Sequence, residues 1–197
     1  MVTPREVERI FREAGAFREG HFVLASGKHS SWYLEKFQVL QWPVRTAMLC
    51  ADIAEWARSL APRTVAGPTT GGIILAHEVA RQLELRAVYA ERIQGARGRE
   101  FRRGFELGSG ERVLVVDDIM TTGGSVQETL DAVRATGAQV VGAAVLVDRS
   151  GGAATLDVPL HALWTLDLPT YAPADCPQCG AGVPLTKPGT TPAPVAR

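Results

Sequence analysis

The sequence has few cysteines, no long apolar run and no excess of charge of either sign. Three cysteines in 197 residues are too few for the disulfide framework of a small secreted protein. No apolar stretch approaches the about 18 residues of a membrane-spanning helix, and no signal region is evident near residue 1. Basic and acidic residues number 21 each, which argues against general nucleic-acid binding. We therefore expect a cytoplasmic protein with neither a membrane nor a nucleic acid as partner.

Two common phosphate-binding patterns are also missing. The chain has no G-x-x-x-x-G-K-[ST] loop and no G-x-G-x-x-G after a strand, which excludes a Walker-type site and a dinucleotide fingerprint. Its length suits one domain with a substantial core, and a hydrophobic fraction of 46% is ordinary for a globular protein.

Apolar β-branched runs alternate with segments of helical periodicity along most of the chain. The patterns predict helices over residues 3–14, 43–60, 73–83 and 127–136, and strands over 22–24, 31–39, 65–66, 87–90, 113–116, 140–147 and 160–166. Such alternation is typical of right-handed βαβ units. The predicted fold class is α/β, with a central, mainly parallel sheet flanked by helices. A hydrophilic loop is expected over 92–110, and a proline-rich, irregular tail over 173–197.

The stretch RVLVVDDIMTTGGS, residues 112–125, is the most informative of the chain. A buried strand ends at the carboxylates Asp117 and Asp118, at the edge where open α/β sheets bind ligands. The following loop and helix start offer hydroxyl and backbone N–H donors to a phosphate; the loop residues are Thr121, Thr122, Gly123, Gly124 and Ser125. The acids would repel phosphate but can accept hydrogen bonds from neighbouring sugar hydroxyls. An ordinary helix-capping turn is the alternative.

Residues 113–125 resemble the 5-phosphoribosyl-1-pyrophosphate (PRPP) signature of the type I phosphoribosyltransferases. The resemblance implies that family's fold, in which the acidic pair holds the ribose hydroxyls and the Thr/Gly/Ser loop holds the 5-phosphate. The PRPP-binding residues that it implies here are Asp117, Asp118, Ile119, Met120, Thr121, Thr122, Gly123, Gly124 and Ser125. A second turn, Thr69, Thr70 and Gly71, resembles the family's pyrophosphate loop, although many members have a lysine near Gly71. A plain strand-to-helix turn would have the same composition.

An arginine-rich segment lies directly upstream of the signature, over residues 92–103. It resembles the catalytic loop of orotate phosphoribosyltransferases, which reaches the pyrophosphate in the neighbouring subunit of a dimer. The resemblance implies catalytic roles for Arg92, Arg102 and Arg103, while Ile93 stands where a lysine is common. A solvated surface loop is the alternative interpretation.

The segment FVLASGKHSSWY, residues 22–33, resembles the hood of the orotate enzymes. It offers the polar groups of Ser26, Lys28 and His29 and the flat ring of Tyr33 to a planar anionic base. Ala25 stands where many of these enzymes have a lysine. A surface hairpin with half-buried aromatic rings is the alternative.

Arg149 follows the buried strand 140–147 and matches the family arginine that binds the orotate carboxylate. A surface ion pair with Asp148 or Asp157 is the alternative. Thr121 matches the family residue that touches both substrates.

Together these motifs resemble the orotate phosphoribosyltransferase family, which makes orotidine 5′-monophosphate and pyrophosphate from orotate and PRPP. The resemblance implies a homodimer, and Mg²⁺ carried mainly by PRPP rather than by a protein metal site. We expect one domain over 1–172, with a hood over about 15–42 and a core over about 43–172. A purine or xanthine phosphoribosyltransferase, or a PRPP-sensing regulatory protein that binds nucleic acid, are the competing hypotheses.

Cys176 and Cys179 form one C-x-x-C pair near the end of the chain. A structural zinc site needs four ligands and no second such pair exists, so a free pair of thiols is the favoured interpretation. His21, His77 and His161 have no evident partners in the sequence.

Overall fold

The computed structural model of the protein describes residues 2–24 and 26–188. Its α-helices are α1 (Pro4–Glu13), α2 (Phe37–Leu40), α3 (Pro43–Arg58), α4 (Gly71–Leu83), α5 (Gly124–Ala135) and α6 (Pro177–Gly180). Its strands are β1 (Phe17–Val23), β2 (His29–Leu34), β3 (Thr64–Pro68), β4 (Arg86–Arg92), β5 (Arg99–Phe101), β6 (Arg112–Met120), β7 (Gln139–Asp148), β8 (Leu160–Thr165) and β9 (Thr170–Tyr171). A 3₁₀-helix spans Pro173–Asp175.

The central sheet has six strands in the order β5-β4-β3-β6-β7-β8. All neighbouring pairs are parallel except β4 and β5, which confirms the predicted mainly parallel sheet. The chain moves outward in one direction from β3 to β4 and in the other from β6 to β8. This reversal lies between β3 and β6, so the crevice beyond their carboxyl ends is the expected ligand site.

The core fills both faces of this sheet. One apolar cluster joins α1, α3 and α4 to the sheet, with Phe11, Leu49, Ile53 and Leu75 among its most buried members. A second cluster lies under α5, around Leu130 and Val133. Parallel strands covered on both faces are apolar along their length, as β6 and β7 are.

The hood is a separate three-stranded antiparallel sheet in the order β1-β2-β9. The hairpin β1–β2 carries the hood motif, and the third strand, β9, arrives from the far end of the chain through the pairs His29↔Tyr171 and Ser30↔Thr170. Ala25, the hood position where many orotate enzymes have a lysine, lies outside the described residues.

Most predicted elements are confirmed, including α1 with its Thr3–Glu6 capping box, but two assignments are wrong. The strand predicted over residues 31–39 ends at Leu34, and residues 37–40 form the helical turn α2. The adjacent side chains of Val39 and Leu40 both pack in the core, which a strand does not allow because its successive side chains point to opposite faces. The hydrophilic segment 92–110 is not all loop, since it contains β5. The sequence did not predict β5, because the residue that this strand buries is Arg99 and not an apolar residue.

The tail is more ordered than expected over its first part. It contains the 3₁₀-helix and α6, and Thr186 forms an isolated parallel bridge with Phe22 of the hood. The remainder of the predicted tail, residues 189–197, lies outside the described residues. Within the described part of the chain, no helix combines the length and apolar character needed to cross a membrane.

Candidate active site

The carboxyl end of β6 places two buried carboxylates at the crevice between β3 and β6. Asp117 accepts hydrogen bonds from the backbone N–H of Asp118 (2.8 Å) and from the hydroxyl of Ser125 (2.6 Å). Asp118 accepts from the N–H of Ile119 (2.6 Å), and its Oδ1 lies 3.0 Å from Nζ of Lys36. Its second oxygen, Oδ2, is buried and has no hydrogen-bond partner among the described residues.

Burial raises the pKa of both carboxyl groups. For Asp117 the removal of water is the largest cause, and the adjacent charge of Asp118 adds to it. For Asp118 burial again raises the pKa, and the Lys36 ammonium partly offsets this. Two negative charges held this closely and out of water are a costly arrangement, typical of a functional site.

The loop after β6 is open and leads directly into the start of α5. Gly123 adopts φ 78°, a left-handed conformation that favours glycine, and immediately precedes α5. Thr121, Thr122 and Gly124 are exposed. The N-cap residue of α5 is Gly123, which offers no capping side chain. The N–H of Gly124 donates one long hydrogen bond (3.5 Å) to the Thr122 hydroxyl, so the start of α5 remains accessible to an anion.

Two predicted PRPP-binding residues contribute differently from their neighbours. The side chain of Met120 is buried in the core, and its carbonyl accepts a hydrogen bond from the N–H of Arg149 (2.7 Å). Ser125 uses its hydroxyl to bind Asp117. Because the Met120 side chain is buried, Met120 can contact a ligand only through its backbone.

The turn after β3 lies against the carboxylate pair. Thr69 and Thr70 are joined by a cis peptide bond, and Gly71 begins α4. A β-carbon on Gly71 would overlap Oδ2 of Asp118, which leaves no space for a side chain at this position. The lysine found near this position in many phosphoribosyltransferases therefore has no equivalent at Gly71.

The arginine-rich segment forms a hairpin, with Arg92 of β4 opposite Arg99 of β5. Arg92 is exposed. Arg103 pairs with Glu91 (2.9 Å), and Arg102 forms an ion pair with Glu100. The three predicted catalytic arginines thus lie on or beside one surface hairpin, and two of them pair with acidic groups of the same hairpin.

Arg99 is the buried arginine of this hairpin and was not predicted as a site residue. Its guanidinium donates to the Thr69 hydroxyl (3.2 Å) and to the carbonyl of Ala90 (3.2 Å), and its Nε lies 3.4 Å from Glu128. Burial lowers its pKa, and the charge of Arg92 lowers it further. Through its hydrogen bond to Thr69, Arg99 stabilises the turn after β3.

Arg149 directly follows β7, and Tyr33 of the hood strand β2 lies near it. The guanidinium of Arg149 is mostly buried, burial lowers its pKa, and its Nε has no partner within the described ranges. The Tyr33 hydroxyl is close enough to interact electrostatically with Arg149, and burial raises its pKa. The alternative interpretation, an ion pair of Arg149 with Asp148 or Asp157, is not found among the described residues. Asp157 pairs with Arg134 (2.7 Å), and Asp148 accepts a hydrogen bond from the N–H of Ser150 (2.8 Å).

Not all of the hood residues predicted to bind a base are accessible to a ligand. Ser26 and Lys28 are exposed in the turn between β1 and β2. His29 is buried, and its Nδ1 lies 3.1 Å from Nε2 of His21. The prediction that His29 offers a donor to the base is therefore wrong, because its ring points into the hood.

Sequence reasoning missed Lys36 and Arg99. The only local signal for Lys36 was its place two residues after a hood strand, and its partner Asp118 is distant in the sequence. Arg99 was one of several similar arginines, and only its burial distinguishes it.

A cavity of about 890 Å³ lies elsewhere, at the opposite edge of the sheet. It is lined by residues at the amino ends of strands, including Thr64, Arg86 and Arg112. Ligands of open α/β sheets bind at the carboxyl ends, so we assign the site to the crevice that contains Asp117 and Asp118.

Comparison with known proteins agrees with this geometry. Residues 38–159 match the family model described as phosphoribosyl transferase domain. The chain is 48% identical over 189 residues to the orotate phosphoribosyltransferase of Pelotomaculum thermopropionicum, covering 96% of this chain and 98% of that protein. It is 46% identical over 182 residues to the enzyme of that name from Caldicellulosiruptor saccharolyticus, covering 92% and 94%. The chain belongs to the orotate phosphoribosyltransferase family.

A solved member of the orotate phosphoribosyltransferase family has the same fold. The crystal structure of the Aeropyrum pernix protein superposes with a TM-score of 0.72 at 30% sequence identity, covering 81% of this chain and 93% of that one. The region matched by the domain model begins after the hood hairpin, whereas the similarity to the two named relatives spans nearly the whole chain. Membership of the orotate family thus extends over the hood as well as the phosphate-binding core.

Proposed function

We propose that this protein transfers the 5-phosphoribosyl group of PRPP to orotate, which yields orotidine 5′-monophosphate and pyrophosphate for pyrimidine synthesis. One observation carries the proposal beyond family membership. The guanidinium of Arg149, whose Nε has no partner among the described residues, lies near Tyr33 of the hood. The N–H of Arg149 donates a hydrogen bond to the carbonyl of Met120, just before the turn that leads into α5. A group suited to bind a carboxylate thus lies next to a turn suited to bind a phosphate, which supports the proposal.

The phosphate end of the crevice fits a phosphorylated sugar. The start of α5, where the N–H of Gly124 makes only a long hydrogen bond to Thr122, and the exposed hydroxyls of Thr121 and Thr122 suit the 5-phosphate. Asp117 and Asp118 would accept hydrogen bonds from the ribose hydroxyls. Burial deprives these two carboxylates of water, which is why their pKa values are raised. Hydrogen bonds from the sugar hydroxyls would supply part of the solvation that the carboxylates lack.

The hood end fits orotate. The guanidinium of Arg149 can bind the orotate carboxylate with two parallel N–H bonds, and the Tyr33 ring offers a flat face. Ser26 and Lys28 are exposed in the hood turn and would approach the base from the other side. Thr121 lies between the two ends and would contact both substrates.

The reaction asks the protein mainly for orientation and charge neutralisation. A ring nitrogen of orotate attacks the anomeric carbon, and the bond to pyrophosphate breaks with its electrons leaving on that group. The turn of Thr69, Thr70 and Gly71 would hold the leaving pyrophosphate, supported from behind by Arg99. Arg92, Arg102 and Arg103 would cover it, for which Arg102 and Arg103 must exchange their acidic partners for the ligand.

We propose Mg²⁺ as the cofactor, carried mainly by PRPP and water. Of the four oxygens of Asp117 and Asp118, three bind groups of the protein itself, so the pair fits a shared cation better than a dedicated cage. The ion would neutralise charge on the pyrophosphate. The pair Asp117 and Asp118 would lie beside it.

We propose that the protein is a homodimer in which the arginine hairpin acts on the neighbouring subunit. A patch of exposed apolar side chains on and beside α3 and α4 supports an interface; its members are Trp42, Val44, Met48 and Ile74. The expected cytoplasmic location stays a prediction.

A base panel tests the proposed function. Pyrophosphate release is measured with PRPP, Mg²⁺ and, in turn, orotate, hypoxanthine, adenine, xanthine and uracil. We expect release with orotate alone, and a rise in the KM for orotate of about tenfold or more for Arg149→Gln. The exposed Arg58→Gln is the matched control. Preference for a purine, or an unchanged orotate KM in Arg149→Gln, contradicts the assignment; salt-dependent RNA binding without pyrophosphate release would favour the regulatory hypothesis.

A further inference from the structure

Two histidines of the hood and two cysteines of the tail come together away from the candidate active site. The four side chains are His21 of β1, His29 of β2, Cys176 and Cys179, and their ligand atoms all lie within 4.8 Å of one another. The chain separates the two pairs by about 150 residues, and the fold brings them together. His21, His29 and Cys176 are buried, whereas Cys179 lies at the surface.

We propose that these four residues form a structural zinc site that fastens the C-terminal segment to the hood. Zinc prefers thiolate and imidazole ligands and is four-coordinate and tetrahedral when all its ligands come from the protein. The favoured interpretation of the sequence, a free pair of thiols, overlooked the two histidines that complete this set.

Four of the six distances between ligand atoms are close to the edges of a zinc tetrahedron, and the other two are within 4.8 Å. Bond lengths of 2.0–2.1 Å to nitrogen and ~2.3 Å to sulfur give edges of about 3.3 Å between two nitrogens and about 3.5 Å between nitrogen and sulfur. His21 Nε2 lies 3.1 Å from His29 Nδ1 and 3.4 Å from Cys176 Sγ. Cys179 Sγ lies 3.6 Å from His21 Nε2 and 3.3 Å from His29 Nδ1.

The orientation of His21 is set for metal binding. Its other ring nitrogen, Nδ1, is 2.8 Å from the carbonyl oxygen of Val183, so Nδ1 must carry the proton and donate it. In the neutral ring this leaves a lone pair on Nε2, the atom that faces His29 and both sulfurs. A backbone carbonyl that orients the second nitrogen is the usual support of a metal-bound histidine.

The C-terminal segment needs such a fastening because it buries little apolar surface. Among residues 173–188, Cys176 alone has a buried side chain. Besides the His21–Val183 hydrogen bond, the segment is attached to β1 by three more, namely Thr186 N–H to the carbonyl of His21 (2.8 Å), Val23 N–H to that of Thr186 (3.0 Å) and the Gln178 amide to that of Gly20 (3.0 Å). Hydrophobic burial on this scale does not offset the entropy lost on ordering some 15 residues, whereas metal binding supplies the free energy that small modules require.

Four protein ligands leave no open position for a water or substrate, so the role is structural. On binding, the single zinc ion would replace the protons of the Cys176 and Cys179 thiols, and these two protons would pass to the buffer. His29 begins the strand that follows the hood turn with Ser26 and Lys28, so the ion would also hold that turn in place. An effect of the ion on orotate binding through this turn rests on the proposed function, whereas zinc binding itself does not.

Metal analysis of the full chain tests the site. The protein is expressed with zinc in the medium, purified without chelator, and its zinc is measured by mass spectrometry against the protein concentration. We expect about one zinc per chain, and loss of most of it in Cys176→Ala, Cys179→Ala and His29→Ala. Cys50→Ala, at a buried cysteine of α3, and His77→Gln, at an exposed histidine of α4, are the matched controls and should keep their zinc.

Cobalt substitution of the intact protein gives a second readout that does not depend on the folding of any variant. After zinc is removed with a chelator, Co²⁺ should produce the visible bands of a tetrahedral ion and thiolate-to-cobalt charge transfer. The metal-loaded chain should also melt at a higher temperature than the chelated chain. No zinc after incubation with excess metal, an octahedral cobalt spectrum, or a Cys176–Cys179 disulfide in the purified protein would each overturn the proposal.

A rise in the orotate KM on zinc removal, with the PRPP KM unchanged, would support the effect on the hood turn. If zinc binds and no base is used as substrate, the proposed function fails and the metal site stands.

Discussion

The carboxylate of Asp118 occupies the space that a side chain on Gly71 would fill. Asp118 lies near the carboxyl end of β6, and Gly71 begins α4 directly after the turn that follows β3, the neighbouring parallel strand. The acid proposed to bind ribose and the turn proposed to bind pyrophosphate are thereby fixed relative to each other by direct packing.

Gly71→Ala should therefore displace Asp118 and impair the use of PRPP. The overlap is with a buried carboxylate, and overpacking of this kind costs about 1–3 kcal/mol. We expect a lower melting temperature and a PRPP KM raised about tenfold or more. The control is Gly108→Ala, where a β-carbon would make an ordinary contact of 3.5 Å with Glu111. Normal PRPP kinetics in Gly71→Ala would show that the two turns adjust independently.

Asp118→Asn should stabilise the protein at pH 8 while it weakens PRPP binding. A carboxyl whose pKa is raised in the folded state binds its proton more tightly there than in the unfolded chain, so stability falls as pH rises from the ordinary aspartate pKa through the raised value. Removing the charge removes that cost, and the gain should shrink when melting is measured at pH 5.

The same variant should raise the PRPP KM by about tenfold to a hundredfold, because a hydrogen bond to a charged group is lost. Asp131→Asn, at an exposed acid of α5, is the control for both measurements. A melting temperature that falls equally at both pH values would contradict the burial cost assigned to the Asp118 charge.

Arg99→Met should weaken pyrophosphate binding without unfolding the protein. Its charge is buried against Thr69 and Ala90, and its partner Glu128 is partly solvated, so an apolar chain of similar length should leave the melting temperature unchanged or raise it. We expect the pyrophosphate KM of the reverse reaction to rise about tenfold, with the orotidine 5′-monophosphate KM unchanged. The exposed Arg97→Met, on the same hairpin, should change neither. An equal rise in both KM values would argue against a positioning role at the turn.

Mixed dimers test whether the arginine hairpin acts across the interface. Arg103→Ala and Asp118→Asn should each have low activity as homodimers. If Arg103 serves the partner's site, random reassociation should restore about a quarter of the wild-type activity, because half of the dimers are mixed and each has one intact site. No recovery in dimers verified as mixed would place Arg103 in the site of its own subunit.

The sequence by itself determined the parts of the site that are contiguous in the chain. Residues 112–125 form a buried strand, two acids, a glycine turn and a helix start, and these follow from local chain geometry and apolar patterning. The parallel sheet followed for the same reason, since each βαβ unit is specified by its own periodicity. Arg149 was predicted from the end of a strand, and the structure leaves its guanidinium unpaired within the described residues.

Only the tertiary structure decided which distant side chains meet. Lys36 pairs with Asp118, Arg99 supports Thr69, and His21 and His29 face Cys176 and Cys179. None of these pairs has a periodicity or a local spacing, because each depends on the order of the strands in the sheet and on where the tail returns to the hood. Contacts of this kind arise from packing across the fold, which a pattern along one chain does not encode.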